Sequence, residues 1–175
     1  MKWIFSLCIV VLLASCSSTT PVTEAQLSAL ETAVNTPEFI FKAQWAEPLD
    51  NDATQVLASL NPAGGVVNGN RVNLDRGVYY VKLSGDLVDI DLPYFGTRQI
   101  SGGLPGSTGI QVKQTNYSDL EQNRSKKEDL RNLTVQVKDG GEFYSISMQL
   151  FAGGGASITV SSSHRQAISY SGIWE

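Results

Sequence analysis

The chain has 175 residues, 16 of them glycine, with 17% charged residues and a formal net charge of −4. That length suits one domain with a sizeable hydrophobic core, and a glycine-rich, charge-poor balance favours an all-β domain with tight turns over a helical bundle. An acidic chain with no basic run long enough to track phosphates excludes nucleic acid as a partner, and a single histidine excludes a histidine-rich metal site, so no cofactor is expected.

The N-terminus reads as an address. Lys2 supplies a positive n-region, and Ile4 to Leu13 form an apolar core of secretory-signal length. The run is too short to span a bilayer, which takes about 20 apolar residues. Leu13-Ala14-Ser15-Cys16 then resembles the bacterial lipobox, in which lipid is transferred to the cysteine thiol and the chain is cleaved just before it. Small residues admit the backbone to a peptidase, and a thiolate is a strong nucleophile for taking the lipid. The expected organisation is a cleaved signal over residues 1–15, lipidated Cys16 and a polar tether over 16–22, and a single barrel-like domain over 23–175. An ordinary secreted protein with a cysteine beside its cleavage site is the alternative. Acyl chains contribute about 0.8 kcal/mol per buried methylene, so several of them anchor the protein essentially permanently without spanning the membrane. By resemblance to Gram-negative sorting, Ser17 after the cysteine points to the outer membrane. The lack of an acidic run from Ser17 to Pro21 favours its periplasmic face. Cys8 leaves with the signal and Cys16 carries lipid, so the domain has no disulfide and must be held by packing alone.

Thr23 with Gln26 three residues on fits a capping box, and Leu27, Leu30 and Val34 recur on one helical face before Asn35 and Pro37 stop the run. A short amphipathic helix therefore leads into the domain, its stripe a brace against a sheet. Phe39 to Trp45 alternates as a strand. Asn61 to Asn70, with Pro62, Gly64, Gly65 and Gly69, reads as loop, followed by a small strand near Arg71 to Leu74. The clearest hairpin is Val78 to Leu92 about Gly85-Asp86, which pairs Leu83 with Val88, Val81 with Ile90, Tyr79 with Leu92, Lys82 with Asp89 and Tyr80 with Asp91. Ile110 to Leu120 is a further strand, and Arg124 to Asp129 a solvated turn of mixed charge. A hairpin from Leu133 to Phe151 turns at Asp139-Gly140-Gly141. With both glycines at its tip, Val137 meets Tyr144, Val135 meets Ile146 and Leu133 meets Met148; with Asp139-Gly140 at the tip the inner face is the same and the partners shift. A third turn at Gly153-Gly154-Gly155 places Leu150 opposite Ile158 and Met148 opposite Val160, and Ile168 to Trp174 closes the chain.

Antiparallel strands with one apolar face must curl on themselves or pack on a second sheet. The expected fold is thus mainly β, a meander curled into a lipocalin-like β-barrel or half-barrel with the helix over an open end. A two-sheet sandwich is the alternative.

Two stretches carry a family resemblance: Tyr79-Tyr80-Val81 running to Leu92-Pro93-Tyr94-Phe95-Gly96, and Arg165-Gln166-Ala167-Ile168-Ser169-Tyr170-Ser171-Gly172. Together they resemble DUF4251, a domain-of-unknown-function family of small Bacteroidota lipoproteins. In that family the Leu-Pro-Tyr-Phe-Gly segment leads to a Gly-rich loop and a Gly-Ile strand start, matched by Gly102 to Gly106 and Gly109-Ile110. The resemblance implies an antiparallel barrel-like domain of lipocalin-type proportions and no defined activity.

The residues carry no reaction signature. His164 stands alone in a polar turn, Asp89 and Asp91 read as a solvated strand face, and the proline-bearing Gly102 to Gly106 loop lacks the helix of a phosphate cradle. The chain is therefore expected not to be an enzyme, a hydrolase using those carboxylates being the distant alternative. Tyrosines mixed with aliphatics would either line a pocket or fill a core. Tyr94, Phe95 and Arg98 open a long Gly-rich loop and are the first candidates for ligand or partner contact, with Arg165 and Gln166 next. The expected function is non-enzymatic binding of a small hydrophobic or amphipathic ligand or a peptide at the membrane. A structural or assembly factor that binds an envelope protein is the alternative.

Overall fold

Thr23 opens helix α1 (Glu24–Asn35) in the computed structural model, which describes residues 21–49, 67–68, 71–75, 77–95, 109–125 and 127–175. Both halves of the capping box form: the Gln26 N–H donates to Thr23 Oγ1 at 3.3 Å and the Thr23 N–H donates to Gln26 Oε1 at 2.9 Å. Leu30, Ala33 and Val34 bury the apolar stripe. The lipobox and Cys16 lie outside the described residues.

Ten strands follow: β1 (Glu38–Pro48), β2 (Val67–Asn68), β3 (Arg71–Asn73), β4 (Tyr80–Ser84), β5 (Leu87–Pro93), β6 (Gly109–Arg124), β7 (Leu130–Asp139), β8 (Glu142–Phe151), β9 (Gly155–Ser162) and β10 (Ile168–Trp174). From β4 to β10 each pairs antiparallel with the next, and β1 pairs with both β4 and β10. The result is a closed eight-stranded barrel, not a sandwich. The short β2–β3 ribbon adds to the C-terminal half of β1 through Trp45 and Ala46; β2 thus falls inside a stretch whose glycines read as loop.

Closure depends on local irregularity. Against β10, β1 shifts register between Ala43 and Trp45, and Gly172 faces that bulge. A Cβ on Gly172 would sit 2.0 Å from the Lys42 carbonyl oxygen, so only glycine lets the two backbones meet at the seam. Two further shifts, marked by positive φ at Gln114 (43°) and Asp119 (55°), bend the 16-residue β6 around the barrel.

The Gly85-Asp86 hairpin has the expected pairs from Leu83 with Val88 to Tyr80 with Asp91. Tyr79 falls outside it: the pairing with β5 ends at Tyr80, while the Tyr79 carbonyl continues the β1 side of the ladder by accepting from the Ala43 N–H. The β7–β8 hairpin turns on Gly140-Gly141, one of the two tips the sequence allows, and so pairs Val137 with Tyr144, Val135 with Ile146 and Leu133 with Met148. The third turn differs: Ala152-Gly153-Gly154 forms the loop, with the positive φ (85°) at Gly154, and Met148 meets Ile158 while Leu150 meets Ala156. A two-residue slip keeps every side chain on its face, so the core is unaffected.

Most inward positions of the barrel strands are apolar and buried, the departures being β6 beyond Val112 and Glu142 at one end, and Phe41, Val81, Leu83, Leu92, Ile146, Ile158 and Tyr170 have no accessible surface at all. A ligand chamber would leave its lining accessible to water. The interior is instead a packed core, as eight strands permit. One end of the barrel is closed by α1, beside the β4–β5, β6–β7 and β8–β9 turns. The other end carries the connections that leave β1 and β5 and the β7–β8 and β9–β10 turns.

Candidate functional site

Glu142 begins β8 with the same inward parity as Tyr144, Ile146 and Met148, which puts a carboxylate at the mouth of the apolar barrel. A buried charge demands a partner, and Arg165, in the β9–β10 turn, supplies it. Its Nε donates to Glu142 Oε1 at 3.0 Å and its Nη2 to Oε2 at 3.4 Å. Nη1 donates to the Gly109 carbonyl at 2.7 Å, and the guanidinium lies over the Tyr94 ring, 5.3 Å from its centroid. Both side chains are buried, Arg165 at 6% exposure and Glu142 at 11%.

Hydroxyls complete the cluster. Ser162 Oγ donates to Glu142 Oε1 at 2.5 Å while accepting the backbone N–H groups of His164 and Arg165, which shapes the turn that carries the arginine. Tyr144 also hydrogen-bonds Glu142. Tyr170 donates to the Pro93 carbonyl at 2.7 Å and Tyr94 to the Gln166 carbonyl at 3.0 Å. His164 stays at the surface, its Nδ1 3.9 Å from Glu142 Oε2. Five strand ends are thereby tied together.

Burial pushes the Glu142 carboxyl up, but the hydrogen bonds from Ser162 and Tyr144 and the charge of Arg165 outweigh it and hold the pKa below the ordinary glutamate value. Burial raises the Tyr144 hydroxyl, reinforced by its bond to the Glu142 carboxylate, and burial likewise raises Tyr170. Both tyrosines stay protonated as donors while the carboxylate stays ionised. With each of its three guanidinium nitrogens donating to a fixed partner, Arg165 acts as a lock on the barrel end.

The sequence candidates thus divide. Tyr94, Arg165 and Gln166 converge, although Gln166 contributes its carbonyl and leaves its side chain exposed. Phe95 is half-buried against the core, and Arg98 with the Gly102 to Gly106 loop lies outside the described residues. Asp89 and Asp91 sit on the outer face of β5, where Tyr80 and Gln111 donate to them at 3.4 Å. Tyr144 and Tyr170 belong to the tyrosines expected to line a pocket or fill the core, and they do the latter, whereas Glu142 and Ser162 were not singled out. The available signal was an acidic residue on the apolar parity of a strand. Among the described residues no group of three or more His, Cys, Asp or Glu could hold a metal, and no helix is long and apolar enough to cross a membrane.

Around the mouth the rim is apolar. Leu49, Val78 and Phe143 are 60%, 81% and 56% exposed, and Lys138 Nζ lies 4.8 Å from the Phe143 ring centroid.

A family model described as a domain of unknown function, DUF4251, matches residues 22–174, the helix and the whole barrel. The chain belongs to the DUF4251 family. Among solved structures, a DUF4251 family protein from Bacteroides eggerthii DSM 20697 is similar at a TM-score of 0.59 and 12% identity, covering 86% of this chain and 87% of that one. At that identity the likeness shows the fold. No curated protein matches in sequence.

Proposed function

We propose that this DUF4251 protein is a lipid-anchored, non-enzymatic envelope protein whose solid barrel presents its loop end to a peptide segment or partner protein. The observation that carries the reading is the filled interior. α1 closes one end, the Glu142–Arg165 pair locks the other, and the large core side chains between them, Phe41, Leu83, Ile146 and Tyr170 among them, have essentially no accessible surface. A hydrophobic or amphipathic ligand would therefore have to lie on the rim, where Leu49, Val78 and Phe143 stand exposed. Scattered exposed apolar residues are ordinary, and Leu87, Phe151 and Ile173 stand 37%, 38% and 41% exposed at the α1 end; the higher exposure of Leu49, Val78 and Phe143, with a phenyl ring under a lysine, favours the rim as the contact surface.

The anchor supports this polarity. Six residues lie between Cys16 and Thr23, a reach of at most about 25 Å over the seven Cα steps, so the lipid holds the helix-capped side near the membrane and leaves the loop end facing away. Ser17 after the lipobox cysteine favours the outer membrane and its periplasmic face. Palmitate labelling of wild type against Cys16→Ala tests the anchor, and undiminished label in the mutant refutes it. Photocrosslinking in cells from position 78 or 143 tests the rim. A defined adduct from these positions and none from Thr159, on the barrel wall, is expected; no specific adduct from the rim refutes the partner reading.

A further inference from the structure

At the opposite end from the rim, the C-terminus of α1 and the β6–β7 hairpin enclose a crevice of about 140 Å3. Four carboxamides line it: Asn35, Gln122, Asn123 and Asn132. Gln122 Nε2 donates to the Val34 carbonyl at 2.9 Å, fixing that amide against the helix end. Asn123 and Asn132 are direct cross-strand partners, and Asn132 Oδ1 is the one buried side-chain polar atom among the described residues with no hydrogen-bond partner. An acceptor left unmade in that way costs about 1–3 kcal/mol, so it asks for a donor.

The two charges at the crevice cancel. Arg131 Nε donates to Glu31 Oε1 at 3.1 Å and its Nη2 contacts the same oxygen, while Nη1 donates to the Glu128 and Leu130 carbonyls at 2.9 Å. The guanidinium is thus committed within the protein, and an anion finds no spare fork there. Carboxamides present a donor and an acceptor side by side, which is the pattern that adjacent hydroxyl groups match. Val34 adds an apolar strip for C–H groups. The volume is that of roughly four to five waters, enough for one small cyclic unit and too little for a peptide segment or an acyl chain.

We propose that this crevice binds a neutral polyhydroxyl ligand the size of a single sugar ring, with the Asn132 carboxamide, whose Oδ1 has essentially no accessible surface in the crevice as it stands, turning to accept a ligand hydroxyl. The site is independent of whatever the rim contacts. Full-length 15N-labelled protein is titrated with galactose and N-acetylglucosamine, and with glucosamine and glucuronate as charged counterparts. A neutral sugar is expected to move the side-chain amide signals of Asn35, Gln122, Asn123 and Asn132 saturably. Asn123→Ala and Asn132→Leu should each weaken that binding about three- to tenfold, the worth of one neutral hydrogen bond, whereas Phe143→Ser leaves it unchanged. Thermal midpoints of the variants separate lost binding from lost folding, and Asn123, exposed on the outer face, can be truncated without entering the core. No saturable shift with either neutral sugar, tighter binding of a charged counterpart, or wild-type affinity in both asparagine variants would overturn the proposal.

Discussion

Replacing Arg165 with methionine tests the lock directly. The change removes two hydrogen bonds to Glu142 and one to the Gly109 carbonyl, and leaves a carboxylate at 11% exposure without its cation. Ser162 and Tyr144 still donate to it, but breaking a buried pair from one side costs about 3–5 kcal/mol. Against a total stability of about 5–15 kcal/mol that is a large share. For a domain of this size the midpoint should fall by roughly 10 °C or more. Urea unfolding followed by circular dichroism, with linear extrapolation, gives the free energies. Glu142→Gln should cost a similar amount by leaving the guanidinium unpaired. The double variant should cost far less than the sum, a coupling of about 2 kcal/mol or more. A loss below about 1 kcal/mol for Arg165→Met, or additivity in the cycle, refutes the assignment of this pair as the lock.

Other consequences follow from the same geometry. Because the folded-state pKa of Glu142 is depressed, its contribution is present above the unfolded glutamate pKa and is lost as pH falls through the folded value; urea midpoints should drop more steeply on acidification in wild type than in Glu142→Gln, and parallel curves contradict this. Gly172→Ala places a methyl against the Lys42 carbonyl at the seam, so a loss of about 1–3 kcal/mol or more is expected, with hydrogen exchange of β1 and β10 amides rising first; a neutral effect would show that the seam can spread. Leu83→Ala, at a position with no exposure, should cost about 2–5 kcal/mol and open a dry cavity. Xenon-induced NMR shifts around Val81 and Ile90 in the variant and not in wild type check it, and equal shifts in both would mean that the native barrel is hollow.

The barrel was legible because its hairpins are short and chemically lopsided. Gly85-Asp86 fixes its turn, and alternation through Val81, Leu83, Val135 and Val137 fixes the inward face, though not the choice between Asp139-Gly140 and Gly140-Gly141 as the second tip. Three adjacent glycines were ambiguous for the opposite reason. Any of them could take the positive φ, and Gly154 does. The closing pairing of β1 with β10 joins residues more than a hundred apart and hangs on a bulge that no local pattern announces. The candidate site was half visible: Tyr94 and Arg165 were picked out from their loops, but the partner that explains Arg165 is a glutamate on another strand. The crevice under α1 was invisible, since Asn35 and Asn132 meet only through the helix-to-barrel packing.

Whether the barrel is solid and the protein works from its surface is tested most directly by native mass spectrometry of the full protein released from its own envelope extract in detergent. The expected result is the mass of the chain with its proposed lipid and no other apolar small molecule retained, alone or with a protein partner. A stoichiometric lipid or other apolar adduct that survives stripping, and whose retention is lost in a core-filling variant such as Ala43→Phe, would contradict it.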